Sequence, residues 1–181
     1  MRSATPLLTL FSLFMLVAQT RAATPPNLPE FPRDRGHEWI NSVPLEVTQL
    51  RGRPVLIEFW TFDCGNCRAT LPWVKAVAAT YQSKGLVVVG VHSPEFPTES
   101  NPANVRSAVR TLGVEYPVLL DPDFAYWKAE SNRYWPAFYL YDRTGKLVAT
   151  RIGELHLGQP NSDEFVRLIE ASLADPVAPR H

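Results

Sequence analysis

The sequence predicts one α/β domain in which helices cover both faces of a mixed β-sheet. A strand, a helix and a second strand follow each other over residues 55–91, and this βαβ order predicts a parallel pair of strands. An additional helix and strand follow over residues 104–120. Two strands over residues 137–152 and a last helix complete the pattern, which is typical of an antiparallel hairpin with one more covering helix.

The first long strand is Val55–Trp60, because its apolar residues occupy both alternating faces, as in a central strand covered on both sides. Before it, Trp39-Ile40 predicts a short strand, and residues 45–50 predict a short helical turn. After it, a helix is expected from about residue 66 to residue 84, and Gly85 is a suitable residue to end it.

The second buried strand is Leu86–Val91, and a loop follows it. Apolar residues at helical spacing predict a helix from Asn104 to Leu112, and Tyr116–Leu120 is expected to be the third strand. Asp121-Pro122 then turns the chain into a short helix around residues 124–130.

The last part of the domain is predicted to form a hairpin and a helix. Ala137–Tyr141 and Leu147–Ile152 are the two strands, and a tight turn at residues 142–146 joins them. Ser162 is expected to N-cap the final helix, which runs to about Leu173 and is apolar on one face.

The N-terminal residues predict export to the periplasm. A positive charge at Arg2, an apolar stretch over residues 7–17 and the segment Thr20-Arg21-Ala22, with small residues at the positions that a signal peptidase reads, are typical of a secretory signal peptide cleaved after Ala22. The apolar stretch is shorter than the roughly 20 residues of a membrane-spanning helix, and a retained N-terminal anchor is the alternative. The predicted parts are a signal peptide (1–22), an extended lead-in (23–37), the α/β domain (38–174) and a flexible tail (175–181).

The composition excludes several classes of function. The chain has 181 residues with 18 Lys and Arg and 18 Asp and Glu, so no charge excess points to nucleic acid or to an anionic membrane surface. Its only cysteines are Cys64 and Cys67, and two are too few for a disulfide-stapled scaffold. Their role is therefore expected to be chemical.

Cys64 and Cys67 form a C-x-x-C motif between a strand and a helix, which is a redox signature. A helix N-terminus presents unpaired N–H groups and the positive end of the helix dipole, and both stabilise the thiolate that attacks a disulfide. Cys67 lies one helical turn further along, within reach of a mixed disulfide on Cys64. The sequence therefore predicts Cys64 as the nucleophile and Cys67 as the resolving thiol.

The sequence does not favour three other uses of the cysteine pair, namely zinc binding, a structural disulfide and haem attachment. Zinc would need two more ligands, and no ligand spacing is found among His37, His92, His156 and His181. A purely structural disulfide would gain little stability from closing so short a loop. Haem attachment needs a histidine directly after the second cysteine, where Arg68 stands. We therefore expect neither a metal nor a cofactor.

Glu58 interrupts an apolar strand six residues before Cys64. A carboxyl group buried in a strand covered on both faces should have a raised pKa. It could then exchange a proton with Cys67 while that thiol is activated. The alternative is a glutamate near the solvated end of the strand, with no catalytic task.

Trp135, Pro136 and Trp60 are the expected substrate-binding residues. Pro136 opens the fourth strand, where a missing N–H is tolerated. A cis bond after Trp135 would keep metal away from the cysteines and leave the Trp135 backbone free to pair with an extended substrate. An ordinary trans bond is the alternative. For Trp60, which ends the strand before the redox motif, the alternative is a place in the core.

Several short motifs of the sequence occur in the same order as in a known superfamily. The pattern Phe59-Trp60-Thr61-x-x-Cys64-x-Asn66-Cys67, followed by Thr70-Leu71-Pro72, resembles the thioredoxin-like superfamily, close to its TlpA group. A nearer resemblance is to the periplasmic thioredoxin-like domain of DipZ-type proteins, supported by residues 90–96, 102–105 and 132–137. The resemblance covers about residues 38–173.

This resemblance implies a thioredoxin-like fold whose βαβ and ββα halves are separated by an αβ insertion around residues 101–120. It implies that Pro136 is the superfamily's cis proline and that Glu58 is its buried acid. It also implies disulfide exchange with protein substrates. DipZ-type proteins resemble fusions to a membrane electron-transfer domain, to which nothing in this sequence corresponds, so a reductase would take electrons from a separate membrane partner.

Three functions stay open at this point. The leading one is a dithiol–disulfide exchanger that reduces exported proteins, with a Gly65-Asn66 dipeptide that helps to set its reduction potential. A thiol peroxidase is an alternative, because Thr61-x-x-Cys64 matches part of a peroxiredoxin pattern, although Ile57 stands where that pattern has proline. A redox-inert binding module is the other, and the intact cysteine pair argues against it.

Overall fold

The structure is a computed structural model that describes residues 27–32 and 38–174. The signal peptide predicted at residues 1–22, most of the lead-in and the tail predicted at residues 175–181 lie outside the described residues. Within the two described ranges, no helix is long and apolar enough to cross a membrane.

The order of the elements agrees with the order predicted from the sequence. The strands of the described residues are β1 (Trp39–Ile40), β2 (Val55–Trp60), β3 (Val87–His92), β4 (Val118–Leu120), β5 (Ala137–Tyr141) and β6 (Leu147–Ile152). The α-helices are α1 (Val47–Leu50), α2 (Gly65–Tyr81), α3 (Pro102–Leu112), α4 (Ala125–Ala129) and α5 (Pro160–Ala174). Two short 3-10 helices lie at Gln82–Lys84 and Pro97–Ser100.

The strands form one mixed sheet in the order β1-β4-β3-β2-β5-β6. β2 is parallel to β3, which confirms the predicted βαβ unit, and β3 is parallel to β4. β5 is antiparallel to both β2 and β6, which confirms the hairpin. All residues of β2 are buried, as expected of a central strand covered on both sides.

The two faces of the sheet carry separate apolar clusters, because successive side chains of a strand point to opposite faces. Leu56 and Trp60 of β2 belong to the cluster that includes residues of α2, α3 and α5. Ile57 and Phe59 belong to the cluster on the other face. Glu58 lies between Ile57 and Phe59 in the strand, so its side chain points to the opposite face, which α2 covers.

The described part of the lead-in, residues 27–32, packs against the face of the sheet opposite α2. The N–H of Leu28 donates to the carbonyl of Gly145 at 2.8 Å. Leu28 and Phe31 are only 6% and 3% exposed, and the ring of Phe31 stacks on Tyr126 with the centroids 5.0 Å apart. Neither residue is predicted to lie in the core, because prolines dominate the local sequence pattern.

The final helix begins earlier than predicted. α5 begins at Pro160, so Ser162, expected to be the N-cap, lies inside its first turn. The Ser162 hydroxyl accepts a hydrogen bond from the backbone N–H of His156 at 2.8 Å. Proline suits the first turn of a helix because no N–H is needed there. The predicted start at Ser162 is therefore wrong, and its hydroxyl instead holds the preceding loop.

The third strand is shorter than predicted, because β4 begins at Val118 and not at Tyr116. Pro117 has no N–H to donate to a neighbouring strand, although its carbonyl accepts from the N–H of Gly90 at 2.9 Å. Tyr116 thus precedes the strand, and its side chain belongs to the apolar cluster on the α2 face.

Candidate active site

The two cysteines lie at the start of α2. Cys64 is the N-cap residue, with an extended backbone, and the N–H of Cys67 donates to its Sγ at 3.3 Å. Both thiols are free, and Cys64 is half-buried whereas Cys67 is only 1% exposed. An incoming disulfide can therefore reach Cys64 but not Cys67.

The buried thiol of Cys67 is difficult to ionise. Burial raises its pKa well above the ordinary value. A hydrogen bond between the Cys67 and Cys64 side chains and the nearby charge of Glu58 raise the pKa further. A backbone contact with Thr61 acts in the opposite direction without cancelling these effects. Because the thiolate is the attacking species, Cys67 needs a group that accepts its proton.

Glu58 lies in the middle of β2 and is fully buried. The hydroxyl of Tyr116 donates to its Oε2 at 2.7 Å, and Oε1 has no hydrogen-bond partner within the described residues. Burial raises the pKa of Glu58 from 4.5 to about 7, and the Tyr116 hydrogen bond partly opposes this rise. Glu58 is thus buried, as predicted, and does not lie at a solvated end of the strand, whereas its part in catalysis stays a prediction.

The Trp135–Pro136 peptide bond is cis, as the resemblance implied. Since Ala137 pairs with Phe59 in the β2–β5 register, Pro136 lies at the same edge of the sheet as the turn that leads into Cys64. The indole N–H of Trp135 donates to the carbonyl of Ser93 at 3.1 Å. The half-buried Trp135 is therefore held in one orientation beside this edge.

Trp60 does not line the site. Its side chain is only 1% exposed and meets the ring of His92 edge to face, with the centroids 5.2 Å apart. Its indole nitrogen lies against Gly90, where an added Cβ would be only 2.9 Å away. The prediction that Trp60 contacts substrate is wrong for this side chain, because strand alternation directs it into the core under α2.

Glu99, a buried residue that is not predicted from the sequence, supports the turn before Cys64. Glu99 is 1% exposed, and its Oε1 accepts from the hydroxyl of Thr61 and from the N–H of Asp63, the latter at 2.9 Å. Its Oε2 accepts from the N–H groups of Glu95 and Phe96, each at 2.8 Å. One carboxylate therefore joins the loop after β3 to the turn that carries the nucleophile.

Four hydrogen bonds keep this carboxylate charged. Burial alone would raise the pKa of Glu99, but the donors from Thr61, Asp63, Phe96 and Glu95 outweigh it and hold the pKa below the ordinary 4.5. A local signal exists in the sequence, since a glutamate three residues after an N-cap often reaches back to the N-cap N–H. The partners Thr61 and Asp63 have no such local signal.

His92 lies beneath the same turn and is 1% exposed. Its Nε2 is 3.3 Å from the Thr61 hydroxyl oxygen, and because that hydroxyl donates to Glu99, the histidine is the donor. Burial lowers the pKa of His92 to about 4, although the charge of Glu99 opposes this, so the ring is neutral at pH 7. Its ring also stacks on Phe62, and this packing indicates a structural role.

The structure thus brings Cys64, Cys67 and Glu58 together under the start of α2, with Trp135 and Pro136 at the same sheet edge. Among the described residues, no group of three or more His, Cys, Asp or Glu side chains could hold a metal ion. The arrangement can therefore support thiol chemistry with one accessible sulfur, one buried sulfur and one buried acid.

Known proteins share both the sequence and this architecture. The Redoxin family model matches residues 40–165. Protein DipZ of Mycobacterium tuberculosis is 42% identical over 119 residues, which are 64% of this chain and 17% of DipZ. The thiol-disulfide oxidoreductase YkuV of Bacillus subtilis is 31% identical over 109 residues, which are 60% of this chain and 73% of YkuV.

A solved structure agrees with these matches. A thioredoxin-like protein determined in solution in its oxidised form superposes with a TM-score of 0.69 at 28% identity, covering 83% of this chain and 96% of that protein. The predicted thioredoxin-like α/β fold is therefore confirmed. The chain spans only 17% of the length of DipZ.

Proposed function

The chain belongs to the Redoxin family of thioredoxin-like thiol–disulfide oxidoreductases, and we propose that it reduces disulfide bonds in exported proteins. The observation that carries the proposal is the pairing of a half-buried Cys64 with a buried Cys67 at the start of α2. This order of exposure makes Cys64 the sulfur that meets substrate and Cys67 the sulfur that releases it.

The exchange takes place in two steps. The Cys64 thiolate attacks a substrate disulfide, so that one substrate sulfur leaves as a thiol and the other stays bound to Cys64. Cys67 then gives its proton to Glu58 and attacks the Cys64 sulfur, which expels the second substrate sulfur. The substrate has gained two electrons, and the protein holds a Cys64–Cys67 disulfide.

Glu58 is the proposed proton acceptor for Cys67. Its pKa of about 7 allows it to be ionised in a large fraction of molecules at neutral pH and still to bind a proton. Its charge also acts on the Cys67 thiol, which indicates that the two groups are close. Within the described residues, no group donates a hydrogen bond to Oε1 of Glu58, so this oxygen is available to take the proton.

The surface around Cys64 suits a polypeptide substrate. An open groove of about 430 Å³ begins beside the redox turn at Phe62, Asp63 and Arg68 and continues along α3. On the side of the cis proline, Tyr134 is 59% exposed. We place an extended substrate segment across this surface, paired with the backbone of Trp135 next to Pro136.

The oxidised protein must be reduced again after each turnover. We propose that a separate membrane protein donates the electrons, because the resemblance to DipZ-type proteins implies a membrane electron-transfer partner. Export through the signal peptide predicted at residues 1–22 would bring the two together in the periplasm. Mass determination of the secreted protein tests this part, because cleavage is expected after Ala22.

The structure argues against the peroxidase alternative. To assist peroxide reduction, the Thr61 hydroxyl would have to face a peroxide bound at Cys64. Thr61 is instead fully buried, and its one hydroxyl hydrogen is donated to Glu99. Turnover of hydrogen peroxide at a rate that matches disulfide exchange would contradict this argument.

Insulin reduction and the reduction potential together test the proposed function. Cys64→Ser should abolish exchange, and Cys67→Ser should accumulate mixed disulfides. Equilibration with thiol–disulfide buffers should give a potential near that of thioredoxin, about −270 mV. A potential near −120 mV would instead make the protein a donor of disulfides and would refute the reductase direction.

A further inference from the structure

The carboxyl group of Glu58 has few polar neighbours. Its partners across the sheet are Gly90 on β3 and Phe138 on β5, and neither side chain can titrate. From α2, Cys67 faces it, and from the segment before β4, Tyr116 faces it. The hydroxyl of Tyr116 is therefore the polar group that can fix how this carboxyl is oriented.

Tyr116 reaches Glu58 because Gly90 has no side chain. An added Cβ at Gly90 would lie 3.0 Å from Cε2 of Tyr116 and 2.9 Å from the indole nitrogen of Trp60, both closer than ordinary packing allows. The two rings thus close over the glycine, and the Tyr116 hydroxyl lies 2.7 Å from Oε2 of Glu58. Tyr116 is 7% exposed, so solvent does not compete for this bond.

We propose that Tyr116 is a positioning residue for the resolving step, because its hydroxyl holds Oε2 of Glu58 and leaves Oε1 as the oxygen that takes the proton of Cys67. This inference rests on the proposed function, in which Glu58 is the proton acceptor. The two oxygens then have separate tasks: Oε2 is anchored, and Oε1 is free of partners within the described residues.

The hydrogen bond has a second effect, on the ionisation of the acid. Burial disfavours the carboxylate, and the Tyr116 hydrogen bond stabilises it, so the pKa of Glu58 stays near 7. Without the hydroxyl, the carboxylate would have no donor among the described residues and its pKa would rise. Less Glu58 would then be ionised at neutral pH and ready to accept a proton.

Tyr116→Phe is the direct test, because it removes one oxygen and keeps the ring that packs on Gly90. Stopped-flow reaction of the reduced protein with 5,5′-dithiobis(2-nitrobenzoate) separates two releases of thionitrobenzoate: attack by Cys64, then resolution by Cys67. In Tyr116→Phe, the pH midpoint of the second phase should move up by about one unit, since a net hydrogen bond to a charged group has about that strength. At pH 7 this slows the second phase about fivefold, while the first phase is unchanged.

Two further variants keep the test decisive. Tyr81→Phe is the matched control, because the hydroxyl of the buried Tyr81 also donates to a glutamate, the exposed Glu170 of α5, at 2.7 Å, and both phases should be unchanged. Gly90→Ala, which leaves Tyr116 and Glu58 chemically intact but displaces the ring, should shift the second phase in the same direction. It provides the answer even if Tyr116→Phe does not fold.

The outcomes separate this inference from the function on which it rests. Glu58→Gln should remove the pH midpoint of the second phase, and if it does not, the role of Glu58 as proton acceptor fails. If Glu58→Gln acts as expected but Tyr116→Phe keeps the wild-type midpoint, the positioning role of Tyr116 is refuted. Carbon-13 NMR of the Glu58 carboxyl in both proteins gives the same pKa shift independently of turnover.

Discussion

The backbone N–H of Asp63, next to the nucleophilic Cys64, donates at 2.9 Å to the carboxylate of Glu99, which lies 36 residues further along the chain. The same carboxylate accepts N–H groups from Glu95 and Phe96 in its own loop. The redox turn and the loop after β3 are therefore held as one unit by a single buried charge.

We expect Glu99→Gln to destabilise the protein by about 1–3 kcal/mol and to slow attack by Cys64. Each oxygen of Glu99 accepts at least one backbone N–H, so the amide nitrogen of glutamine must face at least one N–H group that it cannot satisfy in either orientation. Urea unfolding and the first phase of the thiol-reagent reaction measure the two effects. Glu95→Gln in the same loop, where the side chain is exposed, is the control, and equal stability of the two variants would contradict the prediction.

We expect Glu58→Gln to slow resolution by Cys67 about 100-fold or more at pH 7, because a positioned base typically contributes this factor. Glu130→Gln is a close control, since Glu130 is also shielded from solvent and burial raises its pKa to about 7 as well. Glu130 accepts from the Tyr141 hydroxyl and lies away from the cysteines in the described fold. A similar loss in both variants would indicate a general effect of buried charge rather than proton transfer.

We expect Glu130→Gln to change how stability depends on pH. The folded pKa of about 7 lies above the ordinary 4.5, so the folded protein holds a proton that the unfolded chain has lost between these values. The stabilisation is complete below pH 4.5 and is lost as the pH rises through 7, by roughly 3 kcal/mol.

Urea unfolding at pH 5 and pH 8 measures this dependence. The difference between the two pH values should be smaller in Glu130→Gln than in the wild type, because glutamine has no proton to lose. Glu164→Gln, exposed on α5, should keep the wild-type difference. An unchanged difference in Glu130→Gln would show that this carboxyl does not ionise as expected.

We expect Phe31→Ala to lower the free energy of unfolding by about 3–5 kcal/mol. Phe31 is 3% exposed and lies between Trp39 and Tyr126, with ring centroids 5.2 and 5.0 Å away. Phe96→Ala removes the same ring from a site that is 50% exposed, and should cost less than about 1 kcal/mol. If the two variants unfold alike, the segment before β1 contributes nothing to the core.

Local patterns in the sequence were sufficient to predict the central elements and the redox pair. β2 and β3 are covered on both faces, so their residues form continuous apolar runs, and Cys64 and Cys67 follow one of these runs directly. Glu58 was found because a charged residue interrupts such a run. Each of these signals lies within a few residues of the feature it predicts.

The missed features depend on partners that are distant in the chain. Tyr116 and Glu58 are 58 residues apart, and Thr61 and Glu99 are 38 residues apart. A helix or strand pattern in the sequence therefore cannot predict either contact. Trp60 is predicted to contact substrate because it precedes the motif, whereas the alternation of β2 directs its side chain into the core, which is the alternative given for it. Hydrogen bonds of this kind follow from the fold and cannot be read before it is known.

The segment between β3 and β4 supplies both Glu99, which holds the redox turn, and Tyr116, which holds the buried acid. This segment overlaps the αβ insertion around residues 101–120, so that Tyr116 lies inside the insertion and Glu99 lies just before it. Trimming the chain to a minimal scaffold would remove two supports of the reactive centre at once. Grafting the Cys-Gly-Asn-Cys motif onto another protein would transfer the two cysteines without the side chains of Glu99 and Tyr116 that support them. The segment between β3 and β4 and the two cysteines therefore depend on each other, and they should be moved, shortened or redesigned together.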